Sequence, residues 1–361
     1  MKALVTIHQQ RPPHKVIADV DVAARVDRVL TRTGRGKFAL DVPHSYVHNA
    51  AADIGLGDLV AIRSTVQGVG LYVGVVTQLE ERAGRGTLEV SGDNFSSILY
   101  GIALDRALSY DNRGAGEIAR QLLRMGQAFG RSIFLRDGTL RGTPLYSFTA
   151  PINFGAQHFG NALDALCKRT GDEWWITHRY SRTGIDHYLH LNTRRGYDLT
   201  SRVYLEEGRD FTQLSYRRDS LGQTRAVIAV GGGAASNERP TVAVTANIQA
   251  AAGRASQAFT PLAPTIQTSP LGGRDAIEYN VADSDLTGLA SSAQRRYRYP
   301  PTFSESLAVT IPLTAASTFG PGDYISMRFY SLHRASTTLS ARVNAIQPDE
   351  ASGEADLDVT I

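Results

Sequence analysis

Gly57-Asp58-Leu59-Val60-Ala61-Ile62-Arg63 decides how this chain is read, because a near-copy stands close to the C-terminus: Gly322-Asp323-Tyr324-Ile325-Ser326-Met327-Arg328. The agreement continues on both sides. Upstream, Phe38-Ala39-Leu40-Asp41-Val42-Pro43 matches Leu307-Ala308-Val309-Thr310-Ile311-Pro312. Downstream, Leu71-Tyr72-Val73-Gly74-Val75-Val76 matches Leu339-Ser340-Ala341-Arg342-Val343, and Leu88-Glu89-Val90-Ser91 matches Leu357-Asp358-Val359-Thr360. Each copy alternates apolar and polar residues, breaks at Pro, turns at Gly-Asp and alternates again. That is the period of half-buried strands joined by turns. Aligning the copies takes a gap of about one residue and loops of different length. The plainer alternative is that strands and Gly-Asp turns recur in any two β-meanders.

The rest of the chain is placed around these copies. Alternation from Val16 to Val29, at 36–43, and again through 58–64, 70–80 and 86–92 makes residues 1–93 a first β-barrel domain. His44–Asp53 is a short helix or loop across one end of it. The texture changes at Asp93. Gly114 opens a helix whose Ile118, Leu122 and Met125 share one face with Ala119 and Leu123. A second helix runs from about Ala156 to Arg169, with a stripe of Phe159, Ala162, Leu163, Leu166 and Cys167 and a stop at Thr170-Gly171. Glu173–Thr177 and Ile185–Leu191 then form a hairpin against the helices. Residues 94–210 are therefore an α+β domain. Strands return at Phe211–Tyr216 and Arg225–Val230. After Gly231-Gly232-Gly233 come about 60 residues rich in Ala, Ser, Thr and Pro. They hold a strand at Val242–Val244, a loop through Pro261, Pro264 and Pro270, and a helix from about Asp283 to Arg298, stopped by Pro300-Pro301. The expected architecture is mainly β: two similar β-barrel domains, 1–93 and 211–233 with 302–361, flank the α+β domain, and the second barrel carries the insertion 234–301.

Composition narrows the function classes. Hydrophobic residues at 42% and charged residues at 20% of 361 are those of a folded protein. No apolar run approaches the ~20 residues of a membrane helix, and the N-terminus lacks the apolar core of a signal peptide. The net charge of +3 makes no general case for nucleic-acid binding. A single cysteine, Cys167, excludes an intrachain disulfide. Its place on the apolar side of a helix favours a buried, inert thiol.

Motifs that carry chemistry are incomplete. Gly231-Gly232-Gly233 follows a strand, but the final glycine and apolar helix of a dinucleotide fingerprint are missing. His44 and His48 have the i, i+4 spacing of a zinc site without its glutamate or a third ligand. His187 and His190 fall on opposite faces of a strand. Glu206-Glu207 lies beside a Gly-Arg turn and reads as solvated. Arg295-Arg296-Tyr297-Arg298-Tyr299 could grip a nucleic-acid backbone, but it also sits where cations favour a helix C-terminus. No residue is assigned as catalytic, cofactor-binding or metal-ligating, and no cofactor is expected.

Four segments in order resemble the hub proteins of phage tail tips and baseplates: Asn161–Leu166, Thr170-Gly171-Asp172-Glu173-Trp174-Trp175, Leu205-Glu206-Glu207-Gly208-Arg209-Asp210-Phe211, and Thr224–Gly231. The start at Gln9–His14 departs from the pattern. With no C-terminal extension, a spike, fibre or lytic domain is expected on another chain. The resemblance implies a homotrimeric virion structural protein rather than an enzyme, at the tail tip and assembled in the host cytoplasm. Its two barrels per chain would match a six-fold tail tube or distal tail protein on one side and a three-fold central fibre or spike protein on the other. The lumen would hold the tape-measure protein and then pass DNA without reading its sequence. Two rivals stay open. One is a cell-wall hydrolase using Asp186 and His190 beside Trp174 and Trp175. The other is a carbohydrate-binding tail component, with the exposed tryptophan stacking sugars.

Overall fold

Alternating residues form strands from the start of the chain: β1 (Ala3–His8), β2 (Val16–Val20), β3 (Val26–Arg28), β4 (Leu30–Thr31), β5 (Lys37–Pro43), β6 (Leu59–Ser64), β7 (Tyr72–Arg82) and β8 (Thr87–Asn94). This computed structural model describes residues 3–9, 16–20, 26–31, 36–43, 54–66, 70–82, 86–104, 108–110, 113–127, 135–143, 152–154, 157–181, 184–212, 214–219, 224–231, 241–245, 248–252, 260–264, 274–280, 304–330 and 337–361. Seven of the strands make a curled sheet in the order β2-β1-β6-β7-β8-β5-β3. A bulge between Val76 and Gln78 bends it. One face is a core of Val5, Phe38, Leu40, Val60, Ile62 and Val90.

The two helices and the hairpin of the middle region fold as expected. A 3-10 turn at Phe95–Gly101 leads to β9 (Leu108–Tyr110), α1 (Ala115–Gln127), β10 (Leu135–Leu140), β11 (Ile152–Phe154), α2 (Phe159–Thr170), β12 (Glu173–Ser181), β13 (Gly184–Asn192) and β14 (Tyr204–Glu206). The apolar stripes read from sequence are the buried faces: Ile118 and Leu122 of α1, Phe159, Leu163 and Leu166 of α2. Gly171 ends α2 at φ 76°, its amide donating to the Cys167 carbonyl at 2.8 Å. Only glycine adopts that backbone without strain. The hairpin β12–β13 pairs from Glu173↔Asn192 to Ser181↔Gly184. β9 pairs with β11. β10 joins the hairpin, parallel to β13. Its Leu-Arg-Asp-Gly-Thr-Leu has buried ends and a polar, glycine-containing middle, so its sequence does not alternate.

The last region holds β15 (Leu214–Asp219), β16 (Thr224–Gly231), β17 (Thr241–Thr245), β18 (Ile248–Ala252), β19 (Thr260–Pro264), β20 (Arg274–Asn280), β21 (Ser304–Pro312), the short α3 (Leu313–Ala316), β22 (Tyr324–Phe329), β23 (Thr337–Asp349) and β24 (Glu354–Thr360). The second large sheet runs β14-β22-β23-β24-β21-β15, with β4 also on β23. Here β14 pairs with β22, although residues 94–210 were expected as one domain. The architecture is mainly β, with curled sheets on either side of the helical region.

Two expectations for the last region change. Arg225–Val230 was expected to continue the second barrel beside Phe211–Tyr216. Instead, β16 is an inner strand of a separate five-stranded sheet, β19-β18-β17-β16-β20. The run Ala226–Val230 has no polar alternation, the sequence pattern of a strand covered on both faces rather than of a half-solvated barrel strand. The expected loop through Pro261 and Pro264 is instead β19, the terminal strand of that sheet among the described residues and so the place in a sheet where proline is tolerated. His44–Asp53 with its histidine pair, Gly232-Gly233, the helix Asp283–Arg298 and the basic stretch ending at Tyr299 lie outside the described residues.

Candidate functional site

The two large sheets carry the same strand order, β6-β7-β8-β5 and β22-β23-β24-β21. The ladders show which residues stand in the same place. Leu40 faces Val90 as Val309 faces Leu357, and Pro43 faces Thr87 as Pro312 faces Glu354. Leu59 faces Val75 as Tyr324 faces Arg342. The bulge after Val76 recurs after Val343. These pairings keep the sequence alignment at Phe38–Pro43 and Gly57–Arg63 and move it elsewhere. Tyr72, not Leu71, takes the place of Leu339. Val90, not Leu88, takes that of Leu357. The two-residue slip at β8 leaves every side chain on its original face, so patterning alone could not detect it; the one-residue shift at Leu71 falls where the alignment needed a gap.

The Gly-Asp turn is built the same way twice. Gly57 N donates to Val76 O at 2.8 Å, and Gly322 N to Val343 O at 2.7 Å. The Asp58 carboxylate accepts from Gly55 N at 2.8 Å, and that of Asp323 from Gly320 N at 2.7 Å. Gly57 and Gly322 have φ of 91° and 102°, a region that side chains strain.

The sheets join at β4, whose Leu30 and Thr31 pair with Ile346 and Ala345 of β23. Beside this ladder Arg28 is wholly buried and grips Glu350 with both terminal nitrogens, Nη1 to Oε2 at 3.0 Å and Nη2 to Oε1. A second set of contacts ties the middle region to the second turn. Glu173 accepts from Arg342 Nη2 at 2.7 Å and from Arg195 N at 2.8 Å. Asp323 accepts from Tyr197 N at 2.6 Å. Gly196 lies so close that a Cβ there would sit 2.3 Å from the Gly322 carbonyl carbon.

A cavity of about 560 Å³ opens where the three regions meet, lined by Leu30, Tyr72, His178, Arg195, Phe319 and Asp323 among others. His178 Nδ1 lies 2.8 Å from Nδ1 of buried His187, which stacks on Phe95 with ring centroids 3.7 Å apart. Burial brings the His178 imidazole down to about 3. Arg195 and Asp323 of the cavity lining also hold the junction together through their bonds with Glu173 and Tyr197.

Sequence reasoning passed over Arg28, Glu350, Arg195 and Arg342. For Arg28 a signal existed: it interrupts the alternation Val26, Arg28, Leu30 at an inward position. Arg195 and Arg342 act across long sequence separations and left none.

No protein-family model matches the chain, and no curated protein matches its sequence. Solved structures do match. The 43 kDa tail protein of prophage MuSo2 from Shewanella oneidensis superposes with a TM-score of 0.57 at 13% identity, over 99% of this chain and 97% of that one. A tail protein from Neisseria meningitidis MC58 gives 0.57 at 12%, over 100% and 97%. The prophage tail protein gp18 from Listeria monocytogenes EGD-e gives 0.54 at 12%, over 100% and 94%. This is the fold of phage tail proteins.

Within this tail-protein fold the residues of the rival readings have other partners. Trp174 is core and donates Nε1–H to Asp164 Oδ1 at 2.9 Å. Trp175 is half-buried; His190 stacks on it at 5.3 Å and the Arg195 guanidinium lies 5.9 Å from its ring centre. Adjacent tryptophans do face opposite ways, as a strand requires. His190 Nδ1 accepts from Thr139 N at 3.0 Å, which leaves Nε2–H to donate to Thr177 Oγ1 at 2.8 Å. Burial, with Arg179 and Arg195 nearby, lowers its pKa. Asp186 pairs with Arg136 at 3.0 Å. Cys167 is half-buried, and desolvation, then Asp172, Asp164 and Glu173, push its thiol far above the usual range. Glu206 and Glu207 are tied into the turn: Glu206 meets Arg209 at 3.4 Å and Arg328 at 3.7 Å, and Glu207 Oε2 accepts from Tyr330 N at 2.6 Å. The Asp210 carboxylate is held below its ordinary range by its hydrogen bonds from Arg209.

Proposed function

We propose that this chain is a structural hub of a phage tail tip or baseplate and works as an adaptor between symmetries. On this reading the two sheets are an internal duplication. Three chains would present six similar units to a six-fold tail tube or distal tail protein. The three-fold remainder would seat a central fibre or spike protein. The lumen would be closed by the tape-measure protein or spike and then pass DNA. Domains at 1–93, 94–210 and a second β domain of 211–219 with 302–361, interrupted by the insertion that carries the separate sheet β16–β20, are part of this proposal. So are its non-enzymatic role and assembly in the host cytoplasm before incorporation at the virion tail tip.

The observation that carries the reading is the shared strand order with its twice-built Gly-Asp turn. Unrelated meanders have no reason to repeat a positive-φ glycine, an aspartate turn and a bulge in the same register. Duplication makes one chain count twice around an axis, the arithmetic needed to join three-fold to six-fold partners.

Electron cryo-microscopy of the assembled particle tests it. The expected result is three copies at the tail tip, with the two sheets of each chain related by about 60° around the tail axis. Six copies, or sheets lacking that relation, would defeat the adaptor role.

A further inference from the structure

The joint between the two sheets has two sides, and each side has a counterpart elsewhere in the chain. Within the joint, Thr31 faces Ala345 and Leu30 faces Ile346. The ladder equivalences carry these positions to the other copy. Ala345 and Ile346 correspond to Gln78 and Leu79, the first ladder residues after the bulge of β7. With Val26↔Leu40 matching Leu214↔Val309, Arg28 corresponds to Tyr216, and counting three residues further along the chain carries Thr31 to Asp219.

Among the described residues no strand lies on either counterpart. Beyond its bulge β7 pairs with β8 alone, and β15 is the last strand of its sheet. Exposure changes accordingly. Arg28 is 0% exposed in the joint, whereas Tyr216 is 40% exposed. Ile346 is 3% exposed, whereas Leu79 is half-buried and Gln78 exposed.

We infer that the edge of β7 at Gln78–Glu80 binds β15 of a second copy of this chain, repeating between chains the joint that β3–β4 and β23 make within one. The inference rests on the proposed trimer and names the surface that would build it. The contact is head-to-tail: the second sheet of one chain meets the first sheet of the next. Such heterologous contacts close into a ring when their rotation divides a full turn. Strand pairing would cover two edges that otherwise invite uncontrolled association. Tyr216 is the kind of large amphipathic side chain that anchors an interface. The charges are opposite in sign, with exposed Glu80 on the β7 edge and Arg217-Arg218 in the sequence of β15.

The test pairs Gln78→Cys with Asp219→Cys in full-length protein carrying Cys167→Ala. Directly opposed residues in an antiparallel ladder lie within disulfide reach. Oxidation is run beside light scattering over a range of concentrations. The expected result is covalent dimers and closed trimers from the double variant, while neither single-cysteine chain passes a dimer. Separately, Tyr216→Asp is expected to raise the half-assembly concentration by about ten-fold or more, leaving the melting temperature of the monomer unchanged. A trimer in scattering that gives no Gln78–Asp219 cross-link overturns this surface and leaves the trimeric reading standing. Cross-links confined within one chain likewise overturn the surface. A chain that stays monomeric at every concentration without a cross-link overturns both.

Discussion

β6 and β22 stand at the same place in their sheets and share one face, but their other faces differ. Val60 and Ile62 point into one core as Ile325 and Met327 point into another. On the opposite face, the first sheet presents Leu59 and Ala61, joined by Val73 and Val75 of β7. All four pack into the same cluster as Ile118, Phe159 and Trp174 of the middle region. The second sheet presents Tyr324, Ser326, Ser340 and Arg342 at those positions. Burial along the strands records the contrast: β6 is buried at all but one residue, and β22 alternates. One topology therefore serves two environments. The inward face sets the sheet, and the outward face sets what may lie against it.

Exchanging residues between the faces should break this contrast most severely. Val75→Arg places the residue of the second copy into the shared core, where a charge has no partner. A loss of about 4 kcal/mol or more is expected, read as failure to fold or a large fall in denaturation midpoint. The reverse exchange, Arg342→Val, removes a half-buried bond to Glu173 and should cost only about 1–2 kcal/mol.

Next in size is the joint. Glu350→Ala leaves Arg28 buried without its carboxylate, at a cost of about 3–5 kcal/mol in urea unfolding. Glu80→Ala, on the exposed edge of β7, should stay within about 0.5 kcal/mol. Equal losses would mean that the two edges are not differently covered.

The twin turns allow a finer comparison. Asp323→Ala removes acceptors for both Gly320 N and Tyr197 N and should cost about 2 kcal/mol. Hydrogen exchange at the Tyr197 amide should quicken in this variant. Asp58→Ala should quicken exchange at Gly55 and leave Tyr197 protected.

The contribution of His178 beside the cavity is the smallest of these at neutral pH and grows in acid. Folded His178 stays neutral down to about 3, while an unfolded imidazole takes its proton near 6.5. Between those values the unfolded chain binds more protons, so stability falls as pH drops through that window; above it His178 contributes nothing. In His178→Gln the acid slope of stability over that window should be shallower by up to about one proton. An unchanged slope would place the titrating group elsewhere.

Much of the architecture was legible in the sequence because it rests on local periodicity. Alternation marked β5–β8 and β21–β24. The stripes on α1 and α2 marked their buried faces, and Gly171 marked a helix end that needs positive φ. The position of β16 was not legible: an apolar run states that a strand is enclosed, not which sheet encloses it. Trp174 and Trp175 could be assigned opposite faces from strand geometry. That His190 and Arg195 cover Trp175 could not be read, because Arg195 reaches it from a different segment.

The sequence by itself determined the alternating strands, the two Gly-Asp turns and the likeness between the two large sheets, since each depends on neighbours a few residues apart. Only the tertiary structure decided the register between the two large sheets, the burial of Arg28 against Glu350 and the covering of one outer face but not the other. Those depend on groups distant in the chain, whose meeting is set by how whole sheets pack rather than by any local pattern.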